Sequence, residues 1–228
     1  MFKEKLLDGK RIYYSNKLNV EHFFSSRDFL VKENLDLVAK YLNIKTENLI
    51  KPTQTHSKNV EIFDENKRQY PDCDGLILDK KNFGIYLNFA DCVPVIIYDN
   101  KNNVCSIVHS GWRGTVEKIG VLAFFQMQKF FDTKKENTTV VVGPAISFEC
   151  FETSKEIIQK LSQTLKNKDN LFTDDHADLK NIVARQFFEI GIKDIDICPY
   201  CTVKDNDKFF SYRFENKTKN RHSAVVKL

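Results

Sequence analysis

Three residues in this chain have the types and settings of metal ligands: His56, Cys92 and His109. His56 closes the polar run Pro52-Thr53-Gln54-Thr55. Cys92 stands between two apolar runs in Ala90-Asp91-Cys92-Val93-Pro94. His109 ends an apolar run and precedes Ser110-Gly111-Trp112-Arg113-Gly114. Two imidazoles and a thiolate are three donors, the number with which a protein holds zinc while leaving a fourth position open. Such an ion lowers the pKa of a bound water toward ~7 and supplies hydroxide at neutral pH. The separations of 36 and 17 residues match no short metal motif. On spacing alone a plainer reading stands equally: two histidines capping turns and one buried thiol.

The neighbouring residues suggest further chemistry. A helix expected to start at about Thr115 would offer unpaired N–H groups and its positive dipole end, and with Arg113 it would suit an oxyanion or phosphate. Asp91, beside Cys92, has two readings: a proton shuttle, or a turn carboxylate accepting backbone N–H groups. Cys105 shares strand parity with His109 but reads first as a core thiol. Cys198-Pro199-Tyr200-Cys201 has the spacing of a redox motif. Only 27 residues follow Cys201, too few for the rest of a thioredoxin fold, and no second Cys-x-x-Cys completes a zinc ribbon. His22, His176 and His222 have no partner in sequence and are expected at the surface or in turns. The basic stretch from Lys217 to Arg221 is expected to be a solvated loop.

Composition narrows the class. Of 228 residues, 42% are hydrophobic and 29% charged, which describes a globular protein with room for a full core. A net charge of +4 is too even to suggest nucleic-acid or membrane-surface binding. Five histidines are too few for the imidazole-rich cluster of a true multicopper oxidase, though ample for one small metal site. The six cysteines are scattered and read as free thiols, with one or two available to bind metal. Charges interrupt the first ten residues too early for a signal peptide, and no run is long enough to span a membrane, so a cytoplasmic protein is expected.

These residues need a scaffold. Short apolar and β-branched runs predict strands near 11–14, 20–24, 59–63, 74–78, 83–89, 93–98, 104–109, 139–142, 194–198 and 223–227. Helical periodicity marks 28–42, 115–131, 154–165 and 178–190. Thr153 and Glu156 have capping-box spacing at the third helix, and Gly191 is the expected stop of the fourth. The strands run consecutively through the middle of the chain, without regular alternation with helices. That predicts an α+β fold with mixed or largely antiparallel sheet and helices packed outside. No linker divides residues 1–228, so one domain is expected.

Gln54-Thr55-His56, Ala90-Asp91-Cys92-Val93-Pro94-Val95, His109-Ser110-Gly111-Trp112-Arg113-Gly114, Gly143-Pro144-Ala145-Ile146, Cys201-Thr202 and Phe209-Phe210-Ser211-Tyr212-Arg213 occur in that order. Together they resemble the laccase-domain family, the multicopper polyphenol oxidoreductase-like proteins now understood as purine nucleoside phosphorylases. The resemblance runs from about residue 22 to the C-terminus. It implies central mixed sheets in a sandwich-like arrangement flanked by helices, and zinc held by His56, Cys92 and His109. It also implies phosphorolysis of adenosine, inosine, guanosine or methylthioadenosine to free base and a ribose 1-phosphate, together with adenosine deamination. Purine nucleosides and phosphate would be the partners of a monomer or weak homo-oligomer. Asp91 and Arg113 would be catalytic, and Arg27, Gln54, Arg213 and Arg221 would bind substrate.

The chain departs from the family pattern in three places. Asp28-Phe29-Leu30 follows Ser25-Ser26-Arg27 at once, where the family has a Gly-rich loop; Leu35 stands where it carries Arg; and Phe214 follows Arg213 where it has a second Arg. Two other functions remain open: a copper-dependent, laccase-like polyphenol oxidoreductase, and an accessory factor that edits peptidoglycan precursors. Two His and one Cys would suit blue copper, but the axial thioether could come only from Met1 or Met127.

Overall fold

Side-chain alternation decides the layering. In the strand Val93–Asp99, Val93, Val95 and Ile97 enter one apolar cluster while Ile96 and Tyr98 enter another. Val140 and Val142 part from Val141 in the same way. Strands buried on both faces need cover on both. In the computed structural model, which describes residues 1–228, both strands lie in one of the two inner layers of a four-layer stack.

Two six-stranded sheets make the centre. The first contains β1 (Phe2–Leu7), β2 (Lys10–Ser15), β3 (Glu21–Ser25), β12 (His222–Lys227), β7 (Gly84–Phe89) and β4 (Leu49–Ile50), in that spatial order. The second runs β11 (Asp194–Ile197), β10 (Thr138–Val142), β8 (Val93–Asp99), β9 (Val104–Ser110), β6 (Gly75–Leu78) and β5 (Val60–Ile62). The pairs β4/β7, β5/β6 and β10/β11 are parallel and the other neighbours antiparallel, so both sheets are mixed.

Tyr13, Phe24, Leu87, Ile96, Ile107 and Val141 pack between the sheets. Helix α1 (Leu35–Leu42) covers the outside of the first sheet, setting Val38 and Leu42 against Ile12, Phe23 and Val225. Helices α3 (Ile119–Phe131) and α5 (Leu179–Glu189) cover the second, with Phe124, Met127 and Phe187 against Ile97 and Val140. The remaining helices, α2 (Trp112–Val116) and α4 (Lys155–Ser162), are short. The fold is α+β, a single domain of two mixed sheets with flanking helices, as the sequence predicts.

All ten expected strands have counterparts. The sequence reading did not anticipate β1, whose charged edge-strand pattern lacks an apolar run, or β4, which is two residues long. The helix expected over 28–42 shortens to α1 behind a 3₁₀ turn at Val31–Glu33. There the Asn34 side chain donates to the Leu30 carbonyl at 2.8 Å, competing with the helical ladder. The helix over 115–131 starts earlier, at Trp112, and breaks at Lys118, which adopts a left-handed φ of 54°. Ser154, not Thr153, caps α4 by accepting from Ile157 N. Gly191, at φ 97°, ends α5 as expected.

Two histidines expected at the surface are buried instead. His22 accepts from Ser15 N at 3.1 Å through Nε2, and its Nδ1 lies 2.7 Å from the Val20 carbonyl. His222 is fully buried beside Phe89 and Phe209, and neither ring nitrogen has a hydrogen-bond partner. Burial pulls its pKa down to about 3, so it is neutral.

Candidate metal centre

Three connections cross between the sheets at one end of the stack. Residues 51–59 link β4 to β5, residues 90–92 link β7 to β8, and residues 198–221 link β11 to β12. Crossing chain continues neither ladder, and each of the three crossings sends side chains into the space at this end. His56 lies on the first crossing and Cys92 on the second. His109 comes from the end of strand β9, with the inward parity of Ile107.

Tight backbone places two of these segments. His56 has φ 63° and Asp91 has φ 83°, both in the left-handed region that non-glycine residues adopt at a cost. The Gln54 side chain steadies the first crossing by pairing with a strand backbone. Its Nε2 donates to the Asn88 carbonyl at 2.8 Å, and its Oε1 accepts from Asn88 N at 2.9 Å. The Asp91 carboxylate accepts from Thr202 Oγ1 and Arg213 N, both at 2.7 Å, tying the second crossing to the third. Its oxygens are thus occupied in turn contacts.

The donor atoms of His56, Cys92 and His109 all lie within 4.8 Å of one another. The two imidazoles meet edge to face with centroids 4.7 Å apart. His56 is exposed, Cys92 half-buried and His109 buried, so the cluster is held from below and open above. Gly111 forms its close wall: a Cβ there would stand 3.0 Å from Cys92 Sγ. Burial disfavours charge on both Cys92 and His109. The two groups overcome this together, the imidazoles holding the thiol pKa down and the thiolate and Asp74 holding the His109 imidazole up. Two nitrogens and a thiolate sulfur that close suit one borderline-soft ion with a vacant coordination position.

Above the cluster opens a cavity of about 740 Å³, within the usual size of a small-molecule site. Lys51, Arg113, Arg213 and Arg221 bring four cationic side chains to it, and Ile146, Phe151 and Tyr212 supply apolar wall. Burial lowers the Lys51 pKa. The Arg113 guanidinium lies over the Trp112 ring at 4.2 Å. Helix α2 is only five residues long, so its dipole adds little and Arg113 carries the charge expected at this end. The Arg213 side chain donates to the Glu152 carbonyl at 3.1 Å.

Of the residues singled out in sequence, His56, Asp91, Cys92, His109, Arg113, Gln54, Arg213 and Arg221 all line this cavity. Arg27 does not. Its guanidinium is bound to Asn206 and to Glu215, the latter at 3.3 Å. Arg221, by contrast, brings one end of the stretch expected to be a solvated loop into the site. Cys105 belongs to the core between the sheets, and burial pushes its thiol pKa up. Cys198 and Cys201 are free, buried thiols, and burial pushes Cys198 up to about 12, which disfavours the thiolate a redox nucleophile needs. Two participants escaped the sequence reading. Lys51 gave no signal. Asp74 left a faint one, a carboxylate heading the wholly apolar strand Gly75–Leu78.

Fold and pocket define a class: a two-sheet α+β domain with a His–Cys–His cluster at the sheet-crossing end. Residues 9–228 match the family described as multi-copper polyphenol oxidoreductase laccase, and the chain belongs to that family. It is 30% identical over 196 residues to a Clostridium acetobutylicum protein named purine nucleoside phosphorylase, covering 85% of this chain and 82% of that one. It is 25% identical over 224 residues to a prokaryotic protein named adenosine deaminase RL5, covering 91% and 84%. The crystal structure of Bacillus licheniformis YfiH shares the fold at a TM-score of 0.89, with 23% identity and 98% coverage of both chains.

Proposed function

We propose that this protein is a zinc-dependent purine nucleoside phosphorylase that also deaminates adenosine. The observation that carries the reading is the His56–Cys92–His109 cluster opening into a cavity with four cationic side chains. The names of its relatives point to the same chemistry.

In phosphorolysis a phosphate oxygen bonds to the ribose C1′ as the C1′–N9 bond breaks, and the purine leaves with the electron pair and takes up a proton. Arg113, Arg213, Arg221 and Lys51 are the groups to bind and neutralise the phosphate, with Arg able to engage two oxygens at once. Ile146, Phe151 and Tyr212 offer the purine an apolar wall and partly exclude water. Asp91, whose oxygens serve Thr202 and the Arg213 backbone, fixes the loop that carries Arg213. His56, Cys92 and His109 would hold the zinc, which when bound supplies a Lewis acid and a water acidic enough to attack the purine C6.

Copper in a laccase-like role fits the donors less well. Met127 is buried among the residues outside the second sheet, and Met1 is exposed at the N-terminus, so neither thioether is at the cluster. Chromatography of zinc-loaded protein incubated with adenosine tests the proposal. Adenine and ribose 1-phosphate are expected only when phosphate is present, and inosine with or without it. Absence of both free base and inosine contradicts it. Arg113→Ala is expected to raise the KM for phosphate about tenfold, the loss of one charge-assisted hydrogen bond. An unchanged KM would remove Arg113 from the phosphate site.

A further inference from the structure

We infer that Asp74 is the positioning residue of the metal centre: one buried carboxylate selects the nitrogen His109 turns toward the centre and holds the His56 turn against it. The inference rests on the metal-centre reading above.

Asp74 is completely buried, one residue before β6. Its two oxygens divide the work. Oδ1 lies 2.7 Å from His109 Nδ1 and accepts from His56 N at 3.1 Å. Oδ2 accepts from Thr55 N at 3.0 Å, from Ser57 N at 2.7 Å and from Ser57 Oγ at 2.8 Å. Both histidine-bearing segments therefore close on a single side chain. The β6–β9 ladder does not need that side chain, because His109 N donates separately to the Asp74 backbone carbonyl at 2.7 Å.

The tautomer follows from which groups carry protons. Both Asp74 oxygens already serve as acceptors, for three backbone N–H groups and the Ser57 hydroxyl. His109 Nδ1 must then be the donor, which leaves Nε2 as the nitrogen a metal would bind. A metal-ligating imidazole oriented by a carboxylate in this way is fixed in tautomer and made more basic. An amide of the same shape, as in Asp74→Asn, cannot do both jobs. Turned with its oxygen to the Thr55–Ser57 turn, that amide would point its NH₂ group at His109, favouring the tautomer with the proton on Nε2. Turned the other way, it would set NH₂ against the Thr55 and Ser57 N–H donors.

Two measurements test this. Zn²⁺ is titrated against a competing chelator into metal-free wild type and Asp74→Asn, with circular dichroism and thermal melting as checks of folding. Zinc affinity is expected to fall about 10- to 100-fold in a variant that still folds. Zinc affinity equal to that of wild type in Asp74→Asn overturns the inference and leaves the metal-centre reading standing. Absence of zinc binding by wild type overturns the metal-centre reading itself. The second measurement is ¹⁵N NMR of histidine-labelled, zinc-loaded wild type, which needs no variant. A proton on His109 Nδ1 with zinc on Nε2 is expected, and zinc on Nδ1 overturns the inference even where Asp74→Asn does not fold.

Discussion

A methyl group at position 111 would stand 3.0 Å from Cys92 Sγ and 3.3 Å from His56 Cδ2. Both neighbours are proposed ligands, so the strain of Gly111→Ala falls on the centre. Zinc affinity should fall about tenfold, a small displacement of ligands being costly to a fixed geometry. Chelator competition checks this, and unchanged affinity would mean the cluster has slack. His222 makes a prediction about acid stability. Unfolded, it takes up a proton near its ordinary 6.5; folded, burial delays that to about 3. Between these values the unfolded state binds the extra proton, so stability should drop as pH falls, by up to about 1.4 kcal/mol per pH unit. Urea midpoints between pH 7 and 4 should decline less steeply in His222→Phe; an equal decline would show that other groups set the slope. At this scale sequence singled out the three proposed ligands, a thiol and two imidazoles beside Gly- and Pro-marked turns, while their spacing alone favoured the plainer reading equally. It did not reveal His222, whose ring lacks a polar partner and is buried beside Phe89 and Phe209, distant in sequence from each other.

Between elements, the close approach of the two sheets rests on glycine at position 143. A Cβ there would overlap the Phe24 ring, and Phe24 is fully buried in the inter-sheet core. Gly143→Ala should destabilise the fold by about 1–3 kcal/mol, the usual cost of overpacking. A denaturant midpoint within error of wild type would show that the sheets can part at this point. Most strands were legible in sequence because runs such as Val93–Asp99 and Val104–Ser110 are mostly apolar. The sheet assignment of each strand was not. β7 and β8 are separated by only three residues, a spacing that reads as a hairpin, yet they belong to different sheets. That crossing carries Cys92. The long helix over 115–131 was misread at its start, since Trp112 and Gly114 gave no helical period, and at the Lys118 break.

The whole molecule is a four-layer stack whose interior is given to apolar packing and whose polar chemistry is gathered where the chain changes sheets. No helix is long and apolar enough to cross a membrane. The motifs of the family were readable along most of the chain. Their convergence was not, because His56, Cys92, His109 and Arg213 meet only through three crossings at one end. The most direct test of a metal-dependent phosphorylase is to strip the protein with chelator, return zinc in substoichiometric steps, and follow adenine release from adenosine in phosphate. Activity should be absent in stripped protein, rise linearly and break at one zinc per chain. Full activity in the stripped protein, or activity restored by copper and not by zinc, would contradict the account.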